Sequence, residues 1–204
     1  MRILLAVLLL LACLPAAAAA AGPKALPSAR ATAQIVGKLT ASGRIHGLVV
    51  GFVSPQGRAV YGFGHFGEGK NDPPPDGRTL FELGSITKTF TGQMLAQAIM
   101  EGRVRATDPM RLYLPQGVIA KDSPLFWVSL LDLATHTSGL PEAPSNLPST
   151  DPRNPLAGYS TALLLDDLRT AKPIAPIGQN FFYSNTAAGA LGLMLARLWD
   201  TDYE

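Results

Sequence analysis

The chain has 204 residues, 47% of them hydrophobic, a net charge of +2 and one cysteine. That length holds one large domain or two small ones with a sizeable core, and its Lys and Arg residues are scattered rather than clustered, which argues against a nucleic-acid partner. Cys13 lies in an N-terminal leader-like stretch, so the remainder has no thiol for catalysis, a disulfide or a cysteine-ligated metal.

Met1-Arg2 precedes an apolar run from Ile3 to Leu14, then Pro15 and the alanines Ala16 to Ala21. This is the order of a secretory signal, and cleavage after 1–21 is expected to leave a mature chain 22–204, secreted or periplasmic in a bacterium. The apolar run is too short to span a bilayer, which needs about 20 residues, so no integral membrane segment is expected after its removal. Leu11-Ala12-Cys13 faintly suggests a lipid-attachment site.

From Gly22 to Pro27 the chain is linker-like, and the spacing of Ile35, Val36 and Leu39 predicts a helix over 29–41 lying on a sheet. Gly47–Val53 and Arg58–Gly64 are β-rich runs joined by Ser54-Pro55-Gln56-Gly57, which predicts an antiparallel hairpin. Gly62 to Gly67 matches the dinucleotide pattern G-x-G-x-x-G. A Rossmann site requires a helix there, however, and the glycine- and proline-rich stretch 68–77 excludes one. Thr79-Leu80-Phe81 is expected to be a short strand leading to the next segment.

Phe81-Glu82-Leu83-Gly84-Ser85-Ile86-Thr87-Lys88-Thr89-Phe90 contains the sole S-x-x-K of the chain. Residues three apart share a helix face, so a helix opening at Ser85 brings the Lys88 amine within reach of the Ser85 hydroxyl. The positive end of the helix disfavours a second cation, and its free N–H groups suit an oxyanion. Read alone, the tetrad is an ordinary helix start, which chance supplies about once in a chain of this length. Ile86, Phe90, Met94, Leu95, Ala98 and Ile99 mark a stripe on a helix from about Ser85 to Glu101, stopped by Gly102 and expected to be buried.

Further along, Ser129 to His136 predicts a short capped helix stopped at Thr137 to Pro141, Glu142 to Pro155 a long loop, and Ser160 to Ala171 another helix. Pro176 to Thr186 holds the sole Y-x-N, Tyr183 and Asn185, ahead of an apolar helix from Ala187 to Leu198. Read alone, Tyr183 is a packing residue and Asn185 a helix cap. His136 has no indicated carboxylate partner and reads as structural. None of His46, His65 and His136 has metal-ligand spacing to another, so no metal is expected.

Together, Phe81 to Lys88, Leu131-Asp132-Leu133-Ala134-Thr135-His136-Thr137-Ser138-Gly139-Leu140-Pro141 and Phe182-Tyr183-Ser184-Asn185 resemble the serine β-lactamase and penicillin-binding protein superfamily. The resemblance is closest to its class C (AmpC/AmpH-like) branch, which includes D-Ala-D-Ala carboxypeptidases, AmpH-type endopeptidases and family VIII esterases. It implies an α/β (α+β) fold of β-lactamase/transpeptidase type, with an antiparallel sheet flanked by helices plus a helical subdomain. It also implies Ser85 as the acylated nucleophile, Lys88 as its proton partner, Tyr183 as proton shuttle to the leaving amine and Asn185 as a ligand of substrate and Lys88. No cofactor is implied. The expected substrate is a small β-lactam or a D-Ala-containing peptidoglycan peptide; the alternatives are a family VIII-type carboxylesterase and a non-catalytic penicillin- or wall-binding domain. The family's third motif, Lys or His followed by Thr or Ser and Gly, does not occur after Asn185. The segment 22–204 is therefore expected to be an incomplete domain without its C-terminal strands, weakly active or inactive alone.

Overall fold

The computed structural model describes residues 25–67, 69 and 72–203. The expected signal 1–21, with Cys13, lies outside the described residues. The chain divides into two compact units, one ending at Phe81 and the other beginning at Glu82.

In the first unit, helix α1 (Ala29–Ala41) starts where the Ser28 hydroxyl accepts from the Ala31 N–H, satisfying one of the donors a helix start leaves free. The helix lies against an antiparallel pair, β1 (Gly47–Ser54) and β2 (Gly57–Gly64), registered from Gly47 opposite Gly64 to Ser54 opposite Gly57. Pro55 and Gln56 form the turn, where the Gln56 N–H donates to the Ser54 hydroxyl at 3.2 Å. The Tyr61 hydroxyl reaches over to the Pro27 carbonyl at 2.9 Å and ties the start of the unit to its sheet. Thr79 to Phe81, expected as a strand, is irregular. Its β-branched and aromatic residues meet no ladder partner, and strand propensity without pairing does not make a strand. Among the described residues no helix follows β2 within this unit.

The second unit is helical. A single 3₁₀ turn (Gly84–Ile86) leads into α2 (Thr87–Met100); then come α3 (Leu130–Ala134), α4 (Thr161–Thr170) and α5 (Asn185–Leu198). Helix α5 is central and packs on α2, α3 and α4. Its Ala187, Ala190, Leu191 and Leu195 are buried together with Ala98 of α2, Leu130 and Leu133 of α3, and Leu164 and Leu168 of α4. Small residues at 187 and 190 let the neighbouring backbones approach closely, while leucines fill the remaining space. Short α3 is held by a capping box: the Ser129 hydroxyl accepts from Asp132 N–H, and the Asp132 carboxylate accepts from Ser129 N–H.

One expectation fails in α2. Its interior-facing residues are Leu95 and Ala98, but Ile86, Phe90, Met94 and Ile99 of the same stripe are exposed. Periodicity groups residues on a side of a helix, whereas burial requires a neighbour on that side. A groove of about 350 Å³ runs between this flank and α5, lined by Phe90, Met94, Leu195 and Trp199.

The extended chain ahead of α5 is clasped to the segment after α3. Thr137, Gly139 and Glu142 carbonyls accept from Gly178, Ile174 and Asn185 N–H, each at 2.8 Å, and the His136 carbonyl accepts from Phe182 N–H at 2.8 Å. The Ser184 hydroxyl donates to the Pro141 carbonyl at 2.7 Å. Gly139 is required within this clasp. Its φ is +72°, and a Cβ there would sit 2.5 Å from the Ala175 carbonyl oxygen and 3.0 Å from Pro173. Gly139→Ala is expected to destabilise the fold by about 2 kcal/mol or more, read as a lowered midpoint of denaturant unfolding; an unchanged midpoint would refute the close approach.

Candidate active site

Ser85 stands in the 3₁₀ turn just before α2, and Lys88 is the second residue of the helix proper. Gly84 precedes the serine with φ +51° and open space around its α-carbon. The glycine thus serves the left-handed backbone that turns the chain into the helix. The three-residue offset carries over from turn to helix, and Lys88 Nζ donates to Ser85 Oγ at 3.2 Å.

The same ammonium donates to Asn185 Oδ1 at 2.7 Å, and it lies 4.8 Å from the centre of the Tyr183 ring, within cation–π range. The Tyr183 hydroxyl is hydrogen-bonded to Ser85 Oγ. Two segments almost a hundred residues apart thus meet at one serine hydroxyl, which stands exposed to solvent. Among the described residues no acceptor takes the Ser85 N–H. It stands at the opening of α2 as a donor of the kind an oxyanion needs.

The charge around the phenol favours its ionisation. The Lys88 ammonium, and after it the Ser85 hydroxyl, hold the Tyr183 phenol below its usual value of 10.0, against a smaller opposing effect of Glu142. His136 is held below its usual 6.5, first by burial and then by the positive charge of Lys88. A neutral imidazole and an acidified phenol therefore share the neighbourhood of a single cation.

All four residues singled out in the sequence, Ser85, Lys88, Tyr183 and Asn185, converge on this point. The reading of Asn185 as a helix cap is replaced: Ser184 is the N-cap of α5, accepting from the Ala187 N–H. Asn185 is the first helical residue, leaving its amide oxygen for Lys88. The sequence did not indicate that His136 belongs here. Its ring lies 4.8 Å from that of Tyr183, and its Nδ1 accepts from the Ser184 N–H at 3.1 Å. Its position five residues before Pro141 in the conspicuous run Leu131–Pro141 was a signal, but one without a stated geometry. His46 and His65 belong to the first unit, where the His65 ring meets the Asp72 carbonyl at 3.1 Å.

A serine at a helix opening, a lysine one turn on, and a tyrosine and an asparagine flanking the cap of a second helix define a serine-centred site of the type implied by the three motifs. Comparison with known proteins agrees with that class. The beta-lactamase family model matches residues 32–204. A beta-lactamase of Providencia stuartii is 32% identical over 164 residues, 80% of this chain and 39% of that protein. The D-alanyl-D-alanine-carboxypeptidase/endopeptidase AmpH of Escherichia coli K12 is 31% identical over 137 residues, 66% of this chain and 35% of that protein. Among solved structures, a class C beta-lactamase of Rhodobacter sphaeroides superimposes with a TM-score of 0.67 at 30% identity, covering 87% of this chain and 46% of that one. The chain belongs to the beta-lactamase family, and it spans less than half the length of these relatives.

Removing the cation tests the electrostatic arrangement without a substrate. In Lys88→Met the Tyr183 phenol is expected to titrate at higher pH, toward 10.0, because the leading cause of its acidification is gone. The Tyr183 Cζ chemical shift, assigned among the five tyrosines by its loss in Tyr183→Phe, reads this. A Tyr183 titration unmoved by the substitution would refute the assignment of Lys88 as its perturbing charge.

Proposed function

We propose that this protein is an exported serine hydrolase that forms an acyl-enzyme on Ser85, with β-lactams or D-Ala-containing peptidoglycan peptides as substrates. The observation that carries the reading is the convergence of Lys88 Nζ, Tyr183 OH and Ser85 Oγ, with Asn185 holding the ammonium.

The reaction runs as follows in this reading. Ser85 Oγ attacks the substrate carbonyl carbon while its proton passes to the Tyr183 phenolate, the form that the Lys88 ammonium favours. The developing oxyanion takes the Ser85 N–H. Tyr183 then returns the proton to the leaving nitrogen as the C–N bond breaks, giving a serine ester. In the second half water attacks the ester carbonyl and gives a proton to the Tyr183 phenolate, which hands it to Ser85 Oγ as the acyl–oxygen bond breaks and the acid product is released. Asn185 keeps Lys88 in place and offers its amide N–H to the substrate. The chain's own residues carry every proton in this scheme, so no cofactor enters it.

Relatives named as beta-lactamases and as a D-alanyl-D-alanine-carboxypeptidase/endopeptidase support both substrate classes. A carboxylesterase of the same fold uses the same serine and differs in the shape of the pocket. An acylated binding domain differs in failing to release product.

Weak labelling of the full chain with a fluorescent penicillin is expected, in keeping with the missing third motif, lost in Ser85→Ala and slowed by about 10²–10⁴-fold in Tyr183→Phe, the range for a general acid–base group. Steady release of hydrolysed penicillin supports the hydrolase; labelling without release supports the binding domain; labelling that persists in Ser85→Ala removes Ser85 as nucleophile.

A further inference from the structure

We propose that His136 is a positioning residue for Tyr183, and that its neutral ring is the latch that keeps the phenol on Ser85. The proposal deepens the reading of Ser85 and Tyr183 given above and rests on it for its catalytic consequence.

His136 grips the tyrosine from three directions. Its carbonyl accepts the Phe182 N–H on one side of Tyr183, and its Nδ1 accepts the Ser184 N–H on the other. Its ring lies over the Tyr183 ring, 4.8 Å between centroids and 33° from parallel, while the Phe181 ring meets it edge-on at 5.5 Å. Every residue from 181 to 184 is thus touched by one histidine. The backbone shape that permits this is uncommon: His136 has φ +60°, a left-handed conformation that disfavours most side chains and is adopted several-fold more readily by His, Asn and Asp. A non-glycine residue in that region marks a position where the surroundings hold it in place.

The hydrogen bond to Ser184 has a chemical condition. A backbone N–H can only donate, so Nδ1 must carry a lone pair, and the ring's proton sits on Nε2. Protonation of Nδ1 sets two donors against each other and releases Ser184, the residue after the phenol. The ionisable groups around the ring are few. Lys88 faces it from the start of α2 and opposes its protonation. Tyr183 stacks on it. Asp132 of α3 is taken up by the Ser129 N–H and hydroxyl and by the Thr137 hydroxyl. Glu142, farther along the same segment, acts on Tyr183 and raises its pKa.

The sign of the pH dependence follows. Burial and Lys88 lower the folded-state value of His136 below 6.5, so the folded state binds fewer protons than the unfolded chain between that value and 6.5. The latch is closed above 6.5, and its contribution is lost as pH falls through the lowered value. Tyr183 loses its place on Ser85 in the same window.

Two substitutions in the full chain separate the latch from ordinary packing, and both suit φ +60°. His136→Gly removes ring and acceptor without backbone strain. His136→Asn tolerates the left-handed backbone and returns a short acceptor, Oδ1, that does not titrate. The first readout needs no substrate. The Tyr183 phenol, followed by its Cζ chemical shift, is expected to titrate below 10.0 in the parent, to move up toward 10.0 in His136→Gly, and to stay low in His136→Asn. The second is the rate of labelling by a fluorescent penicillin against pH. His136→Gly is expected to lose roughly 10–100-fold at every pH, the cost of a misplaced catalytic group. His136→Asn is expected to recover most of that loss and to lack the acid-side limb that belongs to the histidine.

The proposal is overturned if His136→Gly leaves the Tyr183 titration where it is in the parent, if His136→Asn fails to restore it, or if the acid limb survives in His136→Asn. A parent chain that takes no penicillin refutes acylation of this chain at Ser85, and the Tyr183 chemical-shift titration then still decides whether His136 positions Tyr183.

Discussion

Tyr183 and Asn185 stand at Ser85 because the extended chain before α5 is tied, bond by bond, to the segment after α3. Neither stretch is a strand, and an irregular backbone packed against the interior leaves polar groups that must find partners. Carbonyls of His136, Thr137, Gly139 and Glu142 and the Ser184 hydroxyl supply or satisfy them. The result is a rigid arm without a sheet. Its end coincides with the N-cap of α5, so the residues on either side of the cap inherit the precision of the helix.

Lys88 is the electrostatic centre of the arrangement. One ammonium donates to the serine and the asparagine and lies beside the tyrosine ring, so a single positive charge is shared among three partners. Its influence on the two neighbouring titratable groups runs in opposite senses. It favours the charged phenolate of Tyr183 and disfavours the charged imidazolium of His136. The charge that binds the serine thus shifts the phenol toward its anion and the imidazole toward its neutral form. Such pairing of environments, rather than the identity of any one residue, is how a site assigns proton roles.

The core of the second unit depends less on α2 than its apolar pattern indicates. Helix α5 supplies the largest set of buried residues, with Ala187, Ala190 and Leu191 among them, whereas Ile86 of the 3₁₀ turn and Phe90 and Met94 of α2 remain exposed. The 3₁₀ turn and the first turn of α2 therefore carry the serine and the lysine ahead of a helix anchored by its inner residues, Leu95 and Ala98. An apolar side chain near Ser85 is here no evidence of a dry interior, and the shifts of the neighbouring titratable groups come from hydrogen bonds, burial and charge.

Local chemistry determined much of this protein. Turn residues at 54–57 made the hairpin, and the periodic runs made α1, α2, α4 and α5 at their expected places, because propensity, capping and alternation act over a few residues. The serine–lysine offset was legible for the same reason, being a property of one helical turn. The tyrosine and asparagine were legible as a motif, and their roles rested on resemblance. Only the tertiary structure decided which residue caps α5, whether Thr79 to Phe81 finds a strand partner, which flank of α2 is covered, and what His136 touches. Each depends on a group distant in sequence: a carbonyl across the clasp, a missing ladder, a neighbouring helix, a ring placed by a left-handed backbone. Periodicity and spacing record what lies within reach along the chain, and the meeting of Ser85 with Tyr183 is fixed by contacts between segments that only folding brings together.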